Sequence, residues 1–106
     1  MVERTIDAEI ATSVKKFAKE VSKKYKISAI ILFGSYAKGT NHEDSDIDIA
    51  IVSEDFEDIY DVMAILMGMT WDIDARIEPH PITKDDYDKI ADPFIKEVID
   101  TGIKVA

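Results

Sequence analysis

Two aspartates separated by one residue open an alternating run, Asp46-Ile47-Asp48-Ile49-Ala50-Ile51-Val52. Successive side chains of an extended chain point to opposite faces, so Asp46 and Asp48 project together while Ile47, Ile49 and Ile51 turn the other way. Carboxylates held that close repel one another unless a cation lies between them. A hard divalent ion, magnesium or manganese, suits an all-oxygen site completed by water and phosphate. Upstream, Gly34 and Ser35 follow a short apolar run. A glycine lets the backbone come close to a phosphate, and the serine offers a hydroxyl and a backbone N–H. Downstream, in WDIDARIEPH, Asp72, Asp74 and Arg76 share one face of the expected strand. Asp74 is the expected third carboxylate, with Asp72 a competitor on the same face and Glu78 further along it. Lys38 and Arg76 are expected to assist with phosphates.

The simpler reading of Asp46 and Asp48 alone is the solvated face of an amphipathic edge strand. Gly34-Ser35, with ten residues between it and Asp46, shifts the balance toward chemistry. His42 and His80 have no partner at metal-ligand spacing and read as ordinary loop histidines. Met63, Met67 and Met69 read as core or as a partner surface, and Tyr36 and Trp71 as packed or base-stacking aromatics.

The elements that must position these residues follow from periodicity. Ile6, Ile10, Val14, Phe17, Val21 and Tyr25 recur at spacings of three and four, which predicts a helix from Ile6 to Lys24. Ser28 to Phe33 is a nearly continuous apolar run, the pattern of a strand covered on both faces. A polar loop spans Gly34 to Ser45, a second strand Asp46 to Val52 and a helix Phe56 to Met67, near Gly68. A third strand is expected over Trp71 to Glu78, ended by Pro81. Thr83 to Ile90 and Pro93 to Asp100 predict two short helices, and Ile103 to Val105 a small edge strand.

The chain has 106 residues, 46% of them hydrophobic, enough for one modest core, so residues 1–106 are expected to form a single domain. A formal charge of -9 argues against gripping an extended nucleic acid over a basic face. The absence of cysteine rules out thiolate nucleophiles and disulfides, and a reducing cytoplasm is the expected compartment. No apolar run approaches the roughly 20 residues a membrane helix needs, so no membrane partner is expected.

Gly34-Ser35 with Asp46-Ile47-Asp48 resembles the glycine-serine and paired-aspartate signature of the DNA polymerase beta nucleotidyltransferase superfamily. Asp74-Ala75-Arg76 is similar to the segment carrying that superfamily's third metal carboxylate. The motifs cover Ala29 to Glu78. The small size resembles the minimal nucleotidyltransferases, MNT proteins that commonly occur beside a HEPN-domain protein as a toxin-antitoxin pair. The resemblance implies an α/β nucleotidyltransferase fold, with a mixed sheet of three to four strands and helices packed mainly on one face. It implies transfer of a nucleoside monophosphate, AMP from ATP or the equivalent from another nucleoside triphosphate, to a hydroxyl on a HEPN-type partner protein. Gly34 and Ser35 would contact the triphosphate, Asp46 and Asp48 would hold two magnesium or manganese ions, and Asp74 would share one of them. No acceptor-binding domain is evident, so a second chain is expected to complete the site, and a homo-oligomer is also open. The alternatives are a binding module that neutralises its partner by masking it, and transfer to a small hydroxylated molecule of aminoglycoside type.

Overall fold

The structure, a computed structural model, describes residues 8–42 and 44–105. The amphipathic N-terminal segment forms α1 (Ala8–Lys24), of which the expected Ile6 start lies outside the described residues. There follow β1 (Ile27–Phe33), a one-turn α2 (Ser35–Lys38), β2 (Ile47–Ser53) and α3 (Ile59–Thr70). The chain ends with β3 (Ile77–Thr83), α4 (Lys84–Lys89), α5 (Pro93–Thr101) and β4 (Ile103–Lys104). Asp58, Thr83 and Asp92 each cap the helix that follows by accepting from its free N–H groups, which fixes where α3, α4 and α5 begin. Pro93 sits in the first turn of α5, where its missing N–H costs nothing.

The four strands form one mixed sheet in the order β3-β2-β1-β4, with β2 and β3 parallel and the other pairs antiparallel. The near-continuous apolar runs of β1 and β2 are explained by cover on both faces. On one face, Ile10, Val14, Phe17 and Val21 of α1 and Val62 and Leu66 of α3 pack on Ile30, Leu32, Ile47, Ile49, Ile51 and Ile77. Phe17 is fully buried there, and truncation to alanine should cost about 3–5 kcal/mol. The opposite face carries a smaller cluster, in which Ile95 and Val98 of α5 cover Ala29, Ile31, Phe33, Ala50, Val52 and Ile82. The two longest helices therefore share one face, and α5 covers part of the other. Asp48 belongs to this second face, opposite Phe33 of β1.

One expected element is displaced. Trp71 to Arg76 is not strand: Thr70 accepts backbone hydrogen bonds from Ile73 and Asp74, and the Asp74 carboxylate accepts from the Arg76 N–H, which folds the segment into turns. The third strand begins at Ile77 and runs through Pro79 and Pro81. Proline is tolerated because β3 is an edge strand. Alternation turns both missing N–H groups to the free side, while Glu78, His80 and Ile82 face β2 with theirs. Gly68 lies inside α3 rather than at its end.

Candidate active site

Register decides which side chains meet. In the parallel pairing, Asp48 lies beside Glu78, and Ala50 beside His80, while Ile47 and Ile77 pair toward the core. Side chains two apart on a strand share a face, so Asp48, Glu78 and His80 emerge together on the face of Phe33 and α5. One donor atom from each of these three residues lies within 4.8 Å of the others, a cluster unmatched elsewhere among the described residues. The His80 Nε2 is 3.4 Å from Asp48 Oδ1.

Asp46, exposed just before β2, lies outside that three-residue cluster. Burial, and then the neighbouring Asp48 charge, raise the Glu78 carboxyl above its ordinary value; His80 opposes this, while Asp46 adds to it by charge and by a hydrogen bond between the two carboxyls. A cation would relieve the repulsion between these carboxylates. Hard carboxylate oxygens at this separation fit a divalent metal ion.

Gly34 completes the close quarters. Its backbone, φ 75 and ψ -151, lies in a region essentially restricted to glycine. A Cβ there would run into the Asp48 carboxylate. The glycine therefore makes room first for Asp48, and Ser35 follows it at the start of α2, which Gly39 ends in a left-handed conformation. The returning loop is tied by His42 and Ser45, whose backbone and side-chain groups bond to each other at 2.9 and 3.0 Å.

An aromatic group braces the histidine. The Phe33 ring lies 5.0 Å from His80 and the Phe94 ring of α5 lies 5.5 Å from it, with Phe33 and Phe94 5.4 Å apart. Lys38 reaches from α2 to Glu97 of α5 at 2.9 Å, on the same side of the sheet.

Asp74 stands elsewhere. In the turn before β3 it accepts hydrogen bonds from the Arg76 N–H and Nε at 3.0 Å each, from Arg76 Nη2 at 2.8 Å and from the Ser13 hydroxyl of α1 at 2.9 Å. The Arg76 hydrogen bond, reinforced by Ser13, lowers its carboxyl to about 2, against the opposing pull of burial. Arg76, whose own pKa the Asp74 hydrogen bond raises, also reaches Glu9 at 3.2 Å. Both groups of the expected Asp74-Arg76 pair are thus engaged with each other at the α1 end of the turn. Asp72 lines a surface groove with Lys16, Lys19 and Met69.

The structure places Asp48 against Gly34 and beside Glu78 and His80, with Asp46 exposed just ahead of the same strand. His80 is a strand residue facing Asp48, not a loop histidine. The alternation Glu78-Pro79-His80 carried the signal, because both side chains share a face once the strand is allowed to pass through proline.

A family model for the nucleotidyltransferase domain matches residues 14–105. MJ0141 of Methanocaldococcus jannaschii, a candidate protein adenylyltransferase by name, is 34% identical over 101 residues, covering 92% of this chain and 99% of that one. Among solved structures, a candidate nucleotidyltransferase from Sulfolobus solfataricus shares the fold, with a TM-score of 0.68, 18% identity, and 98% of this chain and 87% of that one covered. A toxin-antitoxin structure with AMP-PNP has a TM-score of 0.62 at 24% identity, covering 89% of this chain and 70% of that one. Fold, motif and sequence relatives agree: the chain belongs to the nucleotidyltransferase domain family and is a nucleotidyltransferase.

Proposed function

We propose that this enzyme transfers AMP from ATP to a hydroxyl on a HEPN-type partner protein, as the antitoxin of a toxin-antitoxin pair, using divalent metal ions, magnesium or manganese, held by Asp46, Asp48 and Glu78. The observation that carries this reading is the convergence of Asp48 and Glu78, with Asp46 two residues before Asp48, beside a glycine that leaves Asp48 room. Glu78 takes the part first expected of Asp74, whose lone pairs are already committed to Arg76 and Ser13.

The Gly34-Ser35 backbone and the Ser35 hydroxyl hold the triphosphate next to the carboxylates. Bound metal ions would neutralise charge on the attacking and leaving oxygens during in-line displacement at the α-phosphorus. Glu78, as a ligand of the metal ions, would help draw the acceptor hydroxyl toward deprotonation, its proton passing to solvent. The acceptor oxygen bonds to the α-phosphorus as the bond to pyrophosphate breaks. The chain's own contribution is position and charge, without a covalent intermediate.

AMP as the transferred group is supported by the name of MJ0141 and by AMP-PNP in the related toxin-antitoxin structure. A protein acceptor is supported by α3, where Tyr60, Ala64, Met67 and Trp71 form an exposed stripe at helical spacing, with Tyr60 87% and Trp71 80% exposed. Large apolar side chains left in solvent along one line mark a surface for another protein. The test is incubation with α-labelled ATP and the protein that co-purifies from the native cell. Label on that protein with release of pyrophosphate is expected. A partner silenced without label or pyrophosphate would mean neutralisation by masking, and the proposal would fail.

A further inference from the structure

We infer that His80 is itself a ligand of the metal site and makes it select manganese or a similar transition-metal ion over magnesium. This rests on the metal-site reading above and goes beyond it by naming a nitrogen donor.

The geometry supplies the argument. His80 Nε2 and Asp48 Oδ1 are 3.4 Å apart, longer than the roughly 2.7–3.2 Å of an N–H···O hydrogen bond. Two donors at that separation, each about 2.1–2.2 Å from one cation, subtend roughly 100–110° at it, between the octahedral and tetrahedral angles and within reach of either by a small side-chain shift. Glu78 supplies a third donor atom within 4.8 Å of both. The ring is not free to swing away, because Phe33 meets it edge-on at 67° and Phe94 lies tilted against it at 42°. A strand holds Glu78 and His80 on the same face, so the two ligands are rigidly spaced.

Donor chemistry then sets the preference. Magnesium keeps its oxygen shell and gains little from an imidazole, whereas transition-metal ions bind imidazole nitrogen well. Replacing a water or carboxylate oxygen by the His80 nitrogen should widen the affinity gap in favour of manganese.

The full chain loaded with Mn2+ tests this by pulsed electron paramagnetic resonance. A 14N coupling from a directly bound imidazole is expected in the unaltered protein and its loss in His80→Gln; no nitrogen coupling in the unaltered protein would overturn the inference without recourse to any variant. Calorimetric titration with Mn2+ and with Mg2+ gives the second readout: a preference of tenfold or more for Mn2+ should shrink severalfold in His80→Gln, with Mg2+ affinity retained. An unchanged ratio overturns the inference. Asp48→Asn separates the two levels: if it abolishes binding of both ions while nitrogen coupling is absent, the metal site stands and His80 is not its ligand. If neither ion binds the unaltered protein, both readings fall.

Discussion

Asp74 and Asp48 are both sheltered aspartates beside the parallel strand pair, with side chains 11% and 24% exposed, yet their surroundings are opposite. Asp74 has a dedicated guanidinium, a serine hydroxyl and a backbone N–H, and its proton is held weakly. Asp48 faces another carboxylate and an imidazole, and the crowding drives Glu78 the other way. A carboxylate already supplied with a cation and donors locks a turn. A carboxylate set among its own kind, with a glycine cut away to admit it, calls for a ligand from outside. The comparison teaches that partner supply, more than the presence of an aspartate near the motif, separates an acid that locks a turn from one proposed to bind metal.

The largest effect should come from removing the crowded pair. Asp46→Asn with Asp48→Asn is expected to lower nucleotidyl transfer by at least about a thousandfold. Its melting temperature should be unchanged or higher, because mutual repulsion is relieved. Transfer at the unaltered rate would break the comparison outright.

On the other side, Asp74→Asn should cost about 1–3 kcal/mol in chemical denaturation, since the Arg76 fork loses its charged partner. Its transfer rate should stay within severalfold of the original. The two acids also differ in pH dependence. Asp74 binds its proton less readily when folded than when unfolded, so its stabilisation is present above about 3.8 and is lost as pH falls toward about 2. Glu78 binds its proton more readily when folded, so its contribution makes the protein more stable as pH falls through its raised value. Acid titration of unfolding in Asp74→Asn should therefore be flatter between about 4 and 2 than in the original; an identical curve would remove Asp74 as the cause.

Gly34→Ala should destabilise by about 1–3 kcal/mol from backbone strain alone. It should also weaken metal binding, because the new methyl group displaces the Asp48 carboxylate. A loss of stability with intact metal affinity would show that Asp48 moves without consequence. The smallest effect is expected at Lys38. Its exposed pair with Glu97 contributes at most about 1 kcal/mol, so Lys38→Met should leave the melting curve nearly unchanged. A fall in ATP affinity in the same variant would sharpen the phosphate assignment made from the motif.

Much of this was legible in residue order. The apolar stripes of α1 and α3, the runs of β1 and β2, and the shared face of Asp46 and Asp48 all follow from periodicity that packing does not override. The third strand was not. Pro81 reads as a breaker, and only the sheet order, with β3 at an edge, explains why it and Pro79 are tolerated. The alternation Asp72, Asp74, Arg76 mimics a strand, but Asp74 bonding to the Arg76 N–H makes a turn instead. That later start of the strand puts Glu78 and His80, rather than Asp74, beside Asp48.

The most direct test of the central claim is calorimetric titration of ATP, with and without magnesium, into Glu78→Gln and Asp74→Asn side by side. The account predicts that Glu78→Gln loses the magnesium-dependent part of binding and Asp74→Asn keeps it. The reverse pattern would return the third ligand to Asp74 and contradict the site described.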